Sequence, residues 1–202
     1  MKKVIGVLAV AMFIVSAMAI GKAVAFEQIT AQEAYDMVAA GTAKLIDVRT
    51  TAEYVWVGTC KLPDGTTPYN IPWKIWAYQF TGEEKVEAGG IVVETLFGAL
   101  VQRTFDKTTS LILMCRSGKR TDDAAAYLDS LGYTVYEIDR PGVKTGHGGF
   151  QGSGHDDPYD KGYRGWPGRV NYDESVSCSW MDTGLPMTQT VDKDKIWLYM
   201  WD

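Results

Sequence analysis

The stretch that decides the fold is Leu111-Ile112-Leu113-Met114-Cys115-Arg116-Ser117-Gly118-Lys119-Arg120. Four consecutive apolar residues read as a short strand buried on both faces. A small, basic, glycine-containing loop follows. Then Ala124, Leu128 and Leu131 recur at helical spacing and predict a helix over 120–131, which Gly132 ends. A thiol therefore stands where a parallel strand hands over to a helix. Backbone N–H groups and the positive end of the helix converge at such a place. Arg116, Lys119 and Arg120 add three cations within the loop. That environment favours a thiolate and attracts anions, so Cys115 is the candidate nucleophile and 116–120 its candidate anion-binding loop.

Working outward, Lys44–Val48 predicts a second strand, with Asp47 and Arg49 at its C-terminal end and Glu53 on a short helical turn beyond. Ligands collect at the C-terminal ends of parallel strands, which makes Asp47 and Arg49 candidates for supporting the same crevice. The alternative is a structural ion pair, Arg49 with Glu53. Thr30 and Glu33 form a capping box that opens a helix closed by Gly41. Residues 74–90, interrupted by Gly82, Gly89 and Gly90, read as irregular. A helix is predicted over 91–105 and a strand over 134–138. From Pro141 to Gly168, Gly, Asp, Tyr and His replace apolar periodicity, which predicts a long loop. Residues 170–202 read as an extension packed on the domain.

The chain has 202 residues, 46% hydrophobic and 22% charged, enough for one domain with a full core. A formal net charge of −5 argues against a nucleic-acid partner. Lys2, Lys3, the apolar run from Val4 to Ile20 and Ala23-Val24-Ala25 have the layout of an export signal over residues 1–25. An uncleaved membrane anchor is the alternative reading. Without that segment the charge becomes −8, because three lysines and no acids are lost. The expected location is the periplasm. Export to an oxidising compartment, together with three cysteines, makes Cys60 and Cys178 a candidate disulfide that leaves Cys115 free.

Other motifs are weak. His147 and His155 lie near Asp156 and Asp157 without metal-ligand spacing, so no metal or other cofactor is expected. Gly146, Gly148 and Gly149 do not make a dinucleotide fingerprint. Ser117 lacks the surroundings of a hydrolase serine. Trp56, Trp73, Trp76 and Trp166 read as core or loop clamps.

Taken together, Asp47-Val48-Arg49 with Glu53-Tyr54, then Asn70-Ile71-Pro72, then Cys115 to Arg120, resemble the rhodanese domain. Gly148-Gly149-Phe150 is similar to the segment after that family's last strand. The stretch Trp180 to Pro186, ending Gly184-Leu185-Pro186, resembles the tail of its exported single-domain members. The resemblance covers about residues 28–187. It implies an α/β fold, a parallel-stranded sheet flanked by helices, here with a long irregular C-terminal loop and extension. The implied organisation is a signal peptide at 1–25, a domain at 26–187 with insertions at 58–68 and 141–147, and a C-terminal tail at 188–202. The implied activity is sulfur transfer. Cys115 takes the outer sulfur of thiosulfate or another sulfane-sulfur donor and passes it to a thiol or cyanide. The spacing from Cys115 to Arg120 is the shorter of two found in related folds, sized for sulfur where a loop one residue longer fits phosphate. A phosphatase or oxyanion reductase is therefore the less favoured enzyme. A sulfur carrier or interaction module without turnover is the other alternative. Where the family commonly has Gly-His-Ile, this chain has Gly58-Thr59-Cys60, which gives Cys60 a second reading as an acceptor thiol.

Overall fold

A computed structural model of the chain describes residues 26–80, 86–139, 148–151 and 179–200. The export segment 1–25, His147, His155 and Cys178 lie outside them, as do most of the predicted loop 141–168 and the insertion 141–147. Among the described residues no helix is long and apolar enough to cross a membrane.

The centre is a five-stranded parallel sheet. Its strands are β1 (Glu27–Ile29), β2 (Ala43–Asp47), β4 (Tyr69–Asn70), β7 (Ser110–Met114) and β8 (Val135–Ile138), in the spatial order β1-β8-β7-β2-β4. Helix α1 (Ala31–Ala39) opens with the predicted capping box. The Glu33 N–H donates to the Thr30 hydroxyl at 3.2 Å and the Thr30 N–H donates to the Glu33 carboxylate at 2.7 Å. Helices α2 (Glu94–Thr104) and α3 (Lys119–Ser130) complete the flanking layers.

Side chains alternate across the sheet because the strand period is two. Ile46, Leu111, Leu113 and Cys115 join Phe97, Leu100 and Val101 of α2 and Ala124, Ala125 and Leu128 of α3 in one core. Leu45, Ile112 and Met114 point the other way, to Ala31 and Ala34 of α1 and to Cys60, Phe150 and Trp180. Burying a large apolar side chain is worth roughly 1.5–3 kcal/mol. The two layers thus hold the central strand from both sides. Met114 is the register partner of Asp47, which puts both at the C-terminal edge of the sheet.

Two expectations are corrected. Residues 74–90 are not irregular: β5 (Lys74–Phe80) and β6 (Val86–Val92) pair as antiparallel strands, with Trp76 opposite Gly90 and Ala77 opposite Gly89. Glycine weakens a strand without forbidding it, and Trp76, Tyr78 and Phe80 already alternate at strand period. As a result α2 starts at Glu94, since Ile91 and Val92 belong to β6.

The described part of the C-terminal extension, 179–200, packs on the domain. Short strands β3 (Thr59–Cys60) and β9 (Met187–Thr188) pair antiparallel, and Lys61 N–H donates to the Pro186 carbonyl at 2.9 Å. Trp180 is fully buried, with its indole N–H on the Pro186 carbonyl at 2.8 Å. Farther on, Ile196 is buried beside Asn70, and the Trp197 indole donates to the Thr51 hydroxyl at 2.8 Å. Trp73 is core, as read from the sequence, whereas Trp56 is 79% exposed.

Candidate active site

Cys115 follows β7 directly, and the loop 116–118 carries the chain into α3. Gly118 makes the turn with φ of +102°, a conformation open mainly to glycine. That conformation aims the Gly118 N–H at Cys115 Sγ, 3.1 Å away. The Gly118 carbonyl accepts from the N–H and the hydroxyl of Thr121, in the first turn of α3. Sγ thus sits at the N-terminal end of a helix with a backbone donor on it, in a residue 1% exposed.

The far side of the loop is held by Gly149 and Phe150. Phe150 N–H donates to the Cys115 carbonyl at 2.8 Å, and Gln151 N–H to the Arg116 carbonyl at 2.9 Å. A Cβ on Gly149 would stand 2.6 Å from the Cys115 oxygen and 2.8 Å from the Ser117 nitrogen. A Cβ on Gly148 would stand 2.3 Å from the Asp139 Cα. Both glycines are required by close backbone approach. Trp180 N–H on the Gly149 carbonyl (2.8 Å) and Met181 N–H on the Phe150 carbonyl (3.0 Å) brace this segment from behind.

Asp47 and Arg49 form a pair that reaches Phe150, whose N–H is bonded to the Cys115 carbonyl. Their ion pair is completely buried, with Arg49 Nη2 at 2.6 Å from Asp47 Oδ2 and Nε at 2.9 Å from Oδ1. Asp47 also accepts from the Arg49 backbone and the Thr59 hydroxyl, and Arg49 donates to the Gly58 carbonyl at 2.8 Å. The guanidinium lies 4.1 Å from the centre of the Phe150 ring, a cation–π contact. Burial opposes the Arg49 charge, and the adjacent Asp47 carboxylate overrides it, holding the pKa above its ordinary value.

The suggested Arg49–Glu53 ion pair is replaced by another. Glu53, on the π-helical turn Glu53–Val57, takes both guanidinium nitrogens of Arg120, at 2.6 and 2.7 Å. It also accepts from the Thr50 N–H and hydroxyl. Burial pushes the Glu53 carboxyl up, but these donors and the two arginine charges pull it down to about 2. Arg120 is raised in turn, because its bonds to Glu53 outweigh its own burial. Of the three loop cations, Arg120 is therefore committed. Arg116 is half-buried and Lys119 exposed, and among the described residues neither has an ion pair. Ser117 lies half-buried between them.

Cys60 is fully buried, with Sγ 3.2 Å from the Met114 sulfur. It belongs to the core on the opposite face of the sheet from Cys115, which counts against its reading as an acceptor thiol. Burial, with the Asp47 charge, pushes its thiol pKa well up. Its candidate partner Cys178 is outside the described residues. No group of His, Cys, Asp and Glu able to hold a metal occurs among the described residues.

The sequence places Arg120 in the anion-binding loop but gives no sign of its partner Glu53, 67 positions away. Nor does it show the contact of Phe150 with Arg49. Glu137, a buried acid on β8, carries no sequence signal at all.

The rhodanese-like domain model matches residues 30–144. No curated protein matches the chain. Among solved structures, Rv0390 from M. tuberculosis is similar at 24% identity and a TM-score of 0.54, over 82% of this chain and all of that one. The reduced CoADR-RHD of Bacillus anthracis is 22% identical, with a TM-score of 0.38, over 57% of this chain and 16% of that one. SSP1007 from Staphylococcus saprophyticus subsp. saprophyticus is 19% identical, with a TM-score of 0.38, over 57% of this chain and 89% of its own.

Proposed function

This chain belongs to the rhodanese-like domain family, and from that premise we propose that it is a sulfurtransferase that carries sulfane sulfur on Cys115. The observation that carries the proposal is the contact between Gly118 N–H and Sγ, at the junction of a parallel strand and a helix N-terminus. Arg116 and Lys119 are the cations available to an anionic donor.

The chemistry is a pair of displacements. The Cys115 thiolate attacks the outer sulfur of thiosulfate. A Cys115–sulfur bond forms, the donor S–S bond breaks, and sulfite leaves with the electron pair. Arg116, Lys119 and the loop N–H groups of Ser117 and Gly118 hold the oxyanion and the charge on sulfur. Arg120, tied to Glu53, frames the loop. In the second displacement a thiolate or cyanide attacks the outer persulfide sulfur, and the Cys115 thiolate leaves. Neither displacement requires a metal or cofactor. Other sulfane-sulfur donors fit the same scheme.

The proposed setting is the periplasm, with 1–25 as its export signal, and Cys60–Cys178 as the proposed disulfide there. Peptide mapping under non-reducing conditions tests that pairing.

A second reading is favoured by one observation, the 1% exposure of Cys115. A site so closed suits a carrier that holds a persulfide without turnover. Mass spectrometry after thiosulfate treatment separates the readings, followed by cyanide. A gain of one sulfur on the Cys115 peptide, discharged as thiocyanate over many cycles, supports the enzyme. A gain that cyanide does not discharge supports the carrier. No gain rejects both.

A further inference from the structure

A cavity of about 330 Å³ lies away from the cysteine loop, toward the N-terminal ends of β2 and β4. Lys44 of β2 lines it. That residue is about 10 Å of strand before Asp47, the register partner of Met114 at the edge that carries Cys115. Val38, in the last turn of α1, and Leu62 and Pro68 of the segment 62–68 make apolar walls. Lys195 closes the cavity from the C-terminal tail, beyond the residues 30–144 of the family domain.

Observed contacts hold Lys195 in place. The next residue, Ile196, is buried beside Asn70. The Asp192 carboxylate caps the short turn Lys193–Lys195, accepting from the Asp194 N–H at 3.1 Å. The Lys195 ammonium then donates to the Thr66 hydroxyl and to the Thr67 carbonyl, both at 2.8 Å. It also stands 5.4 Å from the centre of the Tyr69 ring. An ammonium has three protons, so one is left for a ligand. Thr66 in turn donates its hydroxyl proton to Asp64 Oδ1 at 2.8 Å and its N–H to the same oxygen at 2.9 Å. The lysine is therefore oriented before any ligand arrives, which lowers the entropy cost of binding.

The charges on the wall do not cancel. Lys44 and Lys195 both line the cavity, and among the described residues neither is in an ion pair. Burial holds the Lys195 pKa below its ordinary value; Asp64 and Asp192 oppose the fall and Lys44 adds to it. Asp64 is the one acid on the described wall, so it offsets one lysine of the two. The end of α1 at the cavity is the negative end of its dipole, which weighs further against a multiply charged anion. A single net positive charge is the complement of a monoanion. The apolar walls suit an apolar body on that anion. By liquid volume the space equals about eleven waters, room for a molecule of roughly ten heavy atoms.

We propose that this cavity binds a small organic monocarboxylate, its carboxylate paired with Lys195 and Lys44 and its apolar body against Val38, Leu62, Pro68 and the Tyr69 ring. The carboxylate accepts the remaining proton of Lys195 and replaces the repulsion between two lysines with two attractions. The site shares no residue with the cysteine loop, so it stands whatever chemistry Cys115 performs. It exists because the tail lies on the segment 62–68, and neither part forms it alone.

The test is a proton–nitrogen NMR titration of the full chain with benzoate, with benzamide and inorganic phosphate as comparison probes. Benzoate should give saturable shifts at the amides of Ala39, Leu45, Thr66 and Thr67, half-complete at roughly 1–10 mM for so small a ligand. Absence of saturable shifts at these amides overturns the proposal. Benzamide has the same shape without the charge and should bind about ten-fold or more weaker. An equal response to benzamide, or a stronger one to phosphate, overturns the ligand class. Lys195→Met and Lys44→Met keep a long side chain without the charge, and each should weaken benzoate about ten-fold or more. Lys44 is exposed, so Lys44→Met decides the matter even if Lys195→Met disturbs the tail. Unchanged affinity in either variant overturns the pairing with both lysines. Shifts confined to residues 115–119 place the carboxylate at the cysteine loop and overturn the assignment.

Discussion

Arg120 closes on Glu53 through two hydrogen bonds, and this pair decides which loop cations are left for a ligand. The guanidinium is about one-fifth exposed, so the pair is shielded without being sealed. Its geometry is the planar fork that suits a carboxylate, which lysine does not reproduce.

Arg116→Ala and Lys119→Ala should lower kcat/KM for thiosulfate by about 10- to 100-fold each, the range for losing a charge-assisted contact. An uncharged persulfide donor should lose much less. Arg120→Ala should differ in kind. It leaves Glu53 partnered by Thr50 and the charge of Arg49, and should lower stability by about 1–2 kcal/mol after discounting for solvent. Equal losses with charged and neutral donors would mean that Arg116 and Lys119 shape the loop without binding the donor.

Cys115→Ser should abolish thiosulfate:cyanide turnover with an unchanged circular dichroism spectrum. Oxygen is nearly the same size, but a serine hydroxyl does not ionise near neutral pH, and it cannot bear a persulfide. Turnover that survives in Cys115→Ser and disappears in Cys60→Ser would move the nucleophile.

Gly149→Ala should damage the loop more than its position suggests. The residue has φ of +72°, and the new methyl would meet the backbone of Cys115, Arg116 and Ser117 inside contact distance. Overpacking of this sort costs about 1–3 kcal/mol, with left-handed strain added. Both a lower urea midpoint and slower Cys115 alkylation are expected. Gly65→Ala is a control, since it shares the positive φ and meets nothing.

The pH dependence of stability should carry two opposed contributions. The Glu53 pKa falls from 4.5 unfolded to about 2 folded, so its contribution is present above pH 4.5 and is lost as pH falls toward 2. The Glu137 pKa rises from 4.5 to about 7, so the folded state is favoured while the acid stays neutral and loses stability as pH rises from 4.5 through 7. Urea unfolding at pH 5 and pH 8 should show Glu137→Gln gaining on wild type by about 1–3 kcal/mol at the higher pH. A constant difference between the two pH values would contradict the raised pKa.

The sheet and the cysteine loop were legible because each has a local signature. The run Leu111–Met114 is apolar at every position, and the Thr30–Glu33 box marks a helix start within four residues. The partners of Asp47, Arg49 and Glu53 were not legible, because three nearby charges allow several pairings and tertiary packing selects one. β5 and β6 were obscured by glycines, whose cost to a strand is too small to act as a veto. Glu137 was invisible for a different reason. A glutamate in a short strand looks like a solvent-facing residue until β1 is laid beside it.

The hydrogen bonds from Trp180 to Gly149 and from Met181 to Phe150 have one more consequence. They hold residues 149 and 150 against residues 180 and 181, beside the cysteine loop. Closing an excursion costs more as it lengthens, but by only about 0.6 kcal/mol per doubling. The domain is thus nearly indifferent to how much chain is spliced in there. The number of residues between these two anchors can vary across a lineage while the sheet beneath stays the same.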